Sequence, residues 1–157
     1  MNKIQTFIIG LLLTSIFAGT AMAIDIETLD KISVHMPKAQ VLALLGDPEE
    51  VLELGNGLSA EIYKVSNAEP MIGAGCIYQN NSQLAGQAFV FEGQLHKEAA
   101  ERLVKHGFRV IEEIEGTYRL AGKDDDTGKP LVAQVALDNG MTVIMTFEKD
   151  FHKQWSK

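Results

Sequence analysis

The stretch MPKAQVLALLGDP, residues 36–48, carries both a helix start and a helix stop, and it frames everything around it. Pro37 suits the first helical position, where a missing N–H costs nothing. Val41, Leu44 and Leu45 follow at i, i+3 and i+4 and share one face. Gly46 can take the left-handed conformation that ends a helix, and Pro48 blocks continuation. Strand-like sequence begins at once with VLEL (51–54). A short one-faced helix followed by strands is predicted to lie on a sheet.

Residues 1–23 read as a secretory signal. Lys3 gives the positive start, FIIGLLLTSIF (7–17) the apolar stretch, and Ala21-Met22-Ala23 the cleavage site. The apolar run is shorter than the roughly 20 residues a membrane span needs. Cleavage after Ala23 is expected, giving a soluble periplasmic or secreted chain with no stable membrane insertion. The remainder carries 13 basic and 21 acidic residues, a net charge of −8. Acidity without a basic cluster argues against nucleic acid and anionic membranes as partners. Cys76 is the single cysteine, so no internal disulfide can form; its apolar neighbours predict a shielded thiol in a strand.

The chain then alternates helix and strands twice. Residues 24–35 suggest a short helix capped by Asp25. VLELGNGLSAEIYKV (51–65) reads as a hairpin turning at Asn56-Gly57. A connection over 66–75 leads to short strands at 76–79 and 84–91. A second helix is expected over 95–106, with Glu98–Arg102 and Glu101–Lys105 pairs outside and Gly107 as its cap. Three strands are predicted to follow, at 109–121, 131–137 and 141–147. Val110, Ile114, Tyr118 and Leu120 fall on one parity of the first. Asp138-Asn139-Gly140 turns between the last two, and KDDDTGKP (123–130) forms a solvated loop.

The fold class expected is α+β: two helix-plus-antiparallel-meander units forming one sheet, with the helices packed on one face. The units would cover 24–94 and 95–157. The first resembles the BamE-like (SmpA/OmlA) fold of an outer-membrane-assembly lipoprotein. Its run K-x-Q-V-x-x-x-L-G-x-P is matched in register by Lys38, Gln40, Val41, Leu45, Gly46 and Pro48, and AFVFEGQL (88–95) resembles the closing strand and turn. The lipid-anchor cysteine of that family is missing. Two such units in tandem resemble secreted β-lactamase inhibitor proteins. Both resemblances imply a binder, and neither carries over a functional residue.

No catalytic, cofactor-binding or metal-ligating set emerges. KDDDTGK departs from calcium-loop and phosphate-loop spacing, and the four histidines form no ligand pair. The aromatics of the strands read as core, and Trp155 as docked on the domain. The chemistry left is a surface. Opposite the helices, Ile111, Arg119, Val132, Gln134 and Ile144 are expected on one outer face, mixing apolar and polar groups as partner surfaces do. Either a partner or the C-terminal FHKQW would cover it. The function expected is a non-enzymatic periplasmic protein-binding or envelope adaptor module. The partner would be another envelope or secreted protein. The alternatives are a secreted inhibitor of an enzyme, or a small-ligand or lipid carrier.

Overall fold

The computed structural model describes residues 24–155 apart from Asn56, Asn67 and Asn81; the signal segment 1–23 and half of the Asn56-Gly57 turn lie outside the described residues. Asp25 caps α1 (Ile26–Leu29), accepting from the Thr28 N–H at 2.8 Å. α2 (Lys38–Leu45) begins one residue later than expected: Pro37 is the residue before the helix, with an extended ψ of 139°. Backbone hydrogen bonds from His35 N–H to Leu84 O and from Lys38 N–H to Ser82 O tie its entry to the sheet. Gly46 ends it at φ 76°, which an L side chain rarely adopts.

Four strands follow: β1 (Glu50–Gly55), β2 (Leu58–Lys64), β3 (Met71–Gln79) and β4 (Gln83–Glu92). β3 starts at Met71, so the connection after β2 is shorter than the 66–75 expected. Gly73 and Gly75 lie in the ladder, and a bulge falls between Met71 and Gly73. After α3 (His96–Lys105) come β5 (Arg109–Ile114), β6 (Thr117–Lys123), β7 (Pro130–Asp138), β8 (Met141–Glu148) and α4 (Lys149–Trp155). All eight strands form one antiparallel sheet in the order β1-β2-β3-β4-β8-β7-β6-β5.

Residues 109–121 are a hairpin and not one strand. Glu115 and Gly116 both take positive φ, 50° and 77°, making the tight turn whose twist suits a two-residue hairpin. Ile114 therefore pairs with Thr117, and Tyr118 faces the other way with Glu113. The expected grouping of Ile114 with Tyr118 and Leu120 fails for that reason. A bulge between Val110 and Glu112 shifts parity again and leaves Ile111 outside the ladder.

The central strands are buried on both faces. On one, α1 and α2 cover Tyr63, Ala74, Cys76, Tyr78 and Leu84, while Ala99, Leu103 and Phe108 pack on Leu120, Ala133 and Val135. The Phe108 ring lies where a side chain on Gly122 would project, so only glycine fits there. α3 closes as expected: Phe108 N–H bonds to Leu103 O and Gly107 N–H to Val104 O, with Gly107 at φ 87°. The opposite face gathers Leu52, Ile62, Ile77, Val90, Met145 and Phe147 with Phe151. Phe151 belongs to α4, so the helices do not all share one face. The side chain of Trp155 lies outside the described residues.

Candidate protein-binding surface

The register decides which of the expected surface residues meet. Val132 pairs with Phe147, and Gln134 with Met145 and Arg119, so these three share the face on which α4 lies. Val132 and Gln134 are buried, at 8% and 4% exposure. Ile144 pairs with Val135 and packs into the cluster under α3, on the other face. Its grouping with Val132 and Gln134 is therefore corrected. Alternation along β7 and β8 taken separately leaves their relative parity open, and the register fixes it, because directly paired residues point the same way. Ile111 is 43% exposed at the bulge.

Arg119 donates to Glu112 at 3.1 Å, both half-exposed. α4 lies on the same face and is preceded by Glu148, whose carboxylate accepts from the N–H groups of Asp150 and Phe151 at 2.9 Å. Phe151 and His152 stack near Phe147, at ring-centre distances of 5.8 and 6.2 Å. Burial, then the Arg119 cation, holds the His152 imidazole below its ordinary pKa. The first part of the C-terminal segment thus lies on the β7–β8 part of the face expected to bind.

The exposed apolar side chains collect elsewhere, at the β5 end of the sheet. Val104, Val110, Ile111 and Ile114 are 41–51% exposed. β5 is an edge strand, with β6 on one side and no described strand on the other. Between it and α3 runs a groove of about 410 Å³, formed by Ala100, Val104, Val110 and Tyr118 with Lys97, Glu101 and Lys105 along the helix. Val110 points to the helix side, as expected, but α3 does not reach far enough outward to cover it. The Glu98–Arg102 and Glu101–Lys105 pairs do not form; the ion pairs among the described residues are Lys38–Glu61 and Arg119–Glu112. The Tyr118 hydroxyl has Glu113 and Glu101 in its neighbourhood; slight burial, then Glu113, raises its pKa. Sequence reasoning missed Val104 as a surface residue because it continues the apolar stripe of α3. Only the hairpin turn at Glu115-Gly116 could have signalled that β5 is an edge.

A second polar grouping lies under α2. Lys38 Nζ reaches Glu61 Oε1 at 2.9 Å, and the Tyr63 hydroxyl donates to Glu61 Oε2 at 3.0 Å. Burial, then Glu61, pushes the Cys76 thiol up to about 12, so it is no nucleophile near neutrality. Burial also raises Tyr63 and Tyr78. Among the described residues no group of three or more His, Cys, Asp or Glu could hold a metal ion, and no helix is long and apolar enough to cross a membrane. Comparison with protein-family models, curated proteins and solved structures found no match to this chain.

Proposed function

We propose that this protein is a non-enzymatic binding or adaptor module of the bacterial envelope, and that it holds its partner at the β5 end of the sheet. The observation that carries the reading is the pair Val104 and Val110, with Ile111 at the bulge, beside an open sheet edge and an apolar groove. Apolar side chains gathered on one surface and rimmed by charge are a hallmark of protein contact sites. Ile111 and Arg119 of the expected surface border this region; Val132, Gln134 and Ile144 do not belong to it. The partner is another envelope or secreted protein, met after export and cleavage behind Ala23.

The lineage proposed is the BamE-like one, in tandem. Two features support it: the helix closed by Gly46 and followed by an antiparallel meander, and the order β1-β2-β3-β4 mirrored by β8-β7-β6-β5. A second reading, inhibition of an enzyme, is favoured by the 123–130 loop. Asp124 accepts from the Thr127 N–H and hydroxyl at 2.7 Å each, which pre-orders a loop able to enter a cleft. Placing a photo-cross-linking residue at Ile111, at Asp126 and at Val51 in the exporting host tests these readings. Cross-links from Ile111 support the adaptor surface, cross-links from Asp126 alone the inhibitor, and equal yields from Val51 neither.

A further inference from the structure

We infer that the partner adds a ninth strand to β5, and that this strand is basic with one apolar side chain seated in the groove. The inference rests on the β5 surface proposed above and specifies how it is used. In an antiparallel ladder a new strand lies about 4.8 Å outside the edge, its side chains alternating between faces. The groove of Val104, Val110 and Tyr118 lies on the helix side of β5, next to that edge. A groove walled by a helix flank and floored by strand residues suits the helix-side side chains of an added strand. Main-chain bonds to the edge would give affinity and the groove specificity.

Charge chooses among occupants. The ladder segment after the bulge is Glu112-Glu113-Ile114, followed by Glu115 in the turn. Glu112 is neutralised by Arg119, but Glu113 and Glu115 are exposed, and Glu101 stands near Tyr118 on the groove wall. Lys97 and Lys105 line the same groove, one helical turn to either side of Glu101, and neither forms an ion pair with the acids of the strand. A second copy pairing its Glu112-Glu113-Ile114 segment with this one about a two-fold would set Glu113 against Glu113, and like charges directly opposite destabilise a ladder. The other open edge, β1, presents Glu50 and Glu53 and is no better matched. The chain as a whole carries −7. A strand with Lys or Arg opposite Glu113 and a branched apolar residue beside Val104 answers all of these features. The bulge confines regular pairing to a few residues, so the apolar anchor must supply much of the affinity.

The test is an NMR titration of the full exported chain with blocked heptapeptides. The first carries one lysine and one valine two residues apart, so that both lie on the same face of the strand, with threonine elsewhere; the second has glutamate in place of that lysine, and the third is the first with alternate backbone nitrogens methylated. The lysine peptide should shift amides of β5 and the outer flank of α3, with affinity on the order of millimolar or better. The glutamate and methylated peptides should bind at least tenfold more weakly, and Glu113→Lys should reverse the preference between lysine and glutamate peptides. Equal binding of the methylated peptide, shifts centred elsewhere, or no shifts at millimolar peptide would overturn strand addition. So would a dimer of the chain alone, seen by sedimentation and abolished by Val104→Glu. If the peptides fail while Ile111 still cross-links to a host protein, the surface stands and the strand-addition mode falls. If both fail, the functional reading falls with it.

Discussion

Lys38 Nζ stands 2.9 Å from Glu61 Oε1 and 5.0 Å above the ring centre of Tyr78. The lysine of the helix-opening motif therefore has a physical task. It reaches from the first turn of α2 to the sheet and neutralises a carboxylate that is 2% exposed in a central strand. The cation also lies over an aromatic face, which adds modest attraction.

Removing the two partners should be unequal. Lys38→Met strands Glu61 as a buried charge and should cost about 3 kcal/mol or more in urea unfolding at pH 7. Glu61→Gln leaves a lysine that is 22% exposed and can swing to water, so its cost should be nearer 1 kcal/mol. Equal costs would mean that Glu61 is solvated more freely than its burial implies.

Cys76 provides a readout of packing under α2. With its pKa pushed up to about 12, its thiolate fraction at pH 8 is about three orders of magnitude below that of a free thiol. Native labelling by a thiol reagent should be slow and should become fast in denaturant. Rapid labelling in native buffer would show that the helix lifts from the sheet.

Much of this architecture was legible from short-range pattern. The MPKAQVLALLGDP helix, the Asp25 cap, the Gly107 cap and the shielded strand position of Cys76 all depend on neighbours a few residues apart. The surface was not legible, because it depends on register. Glu115-Gly116 lacks the usual Asn-Gly or Asp-Gly signature of a tight turn, so alternation runs unbroken through 109–121 in the sequence and assigns Ile114 to the wrong face. Ile144 followed the alternation of its own strand correctly, but its pairing with Val135 rather than Val132 is a long-range choice that alternation alone leaves open. The edge position of β5 is likewise a property of the whole sheet.

The pH response of α4 follows from His152. Burial and the Arg119 cation keep its ring neutral to lower pH than in the unfolded chain, which takes the proton near 6.5. Its contribution to stability is therefore present above that pH and is lost as pH falls toward the lowered folded value. Between pH 7.5 and 5.5 the native chain should lose more stability than His152→Asn does, as measured by urea unfolding of both. A larger loss in the variant would reverse the sign and place the imidazole beside an acid instead.

The two halves of the sheet meet at β4 and β8, where Val90 pairs with Val143 and Ala88 with Met145, all at most 1% exposed. A 24–92 fragment would open that seam as a bare apolar edge. It should lack a cooperative thermal transition and should associate. A sharp transition matching that of the whole chain would mean that each half folds alone.

The central claim is that the β5 end holds a protein partner, and Val104→Glu tests it most directly. Val104 is 46% exposed, so a charge there should change folding stability by no more than about 0.5 kcal/mol. The measurement is the yield of the partner cross-linked from Ile111 in the exporting host, for the native chain, Val104→Glu and Val51→Glu, each with its thermal midpoint. The account predicts at least a tenfold loss of cross-linked partner in Val104→Glu, none in Val51→Glu, and unchanged midpoints for both. An undiminished yield in Val104→Glu, or an equal loss in Val51→Glu, would contradict it.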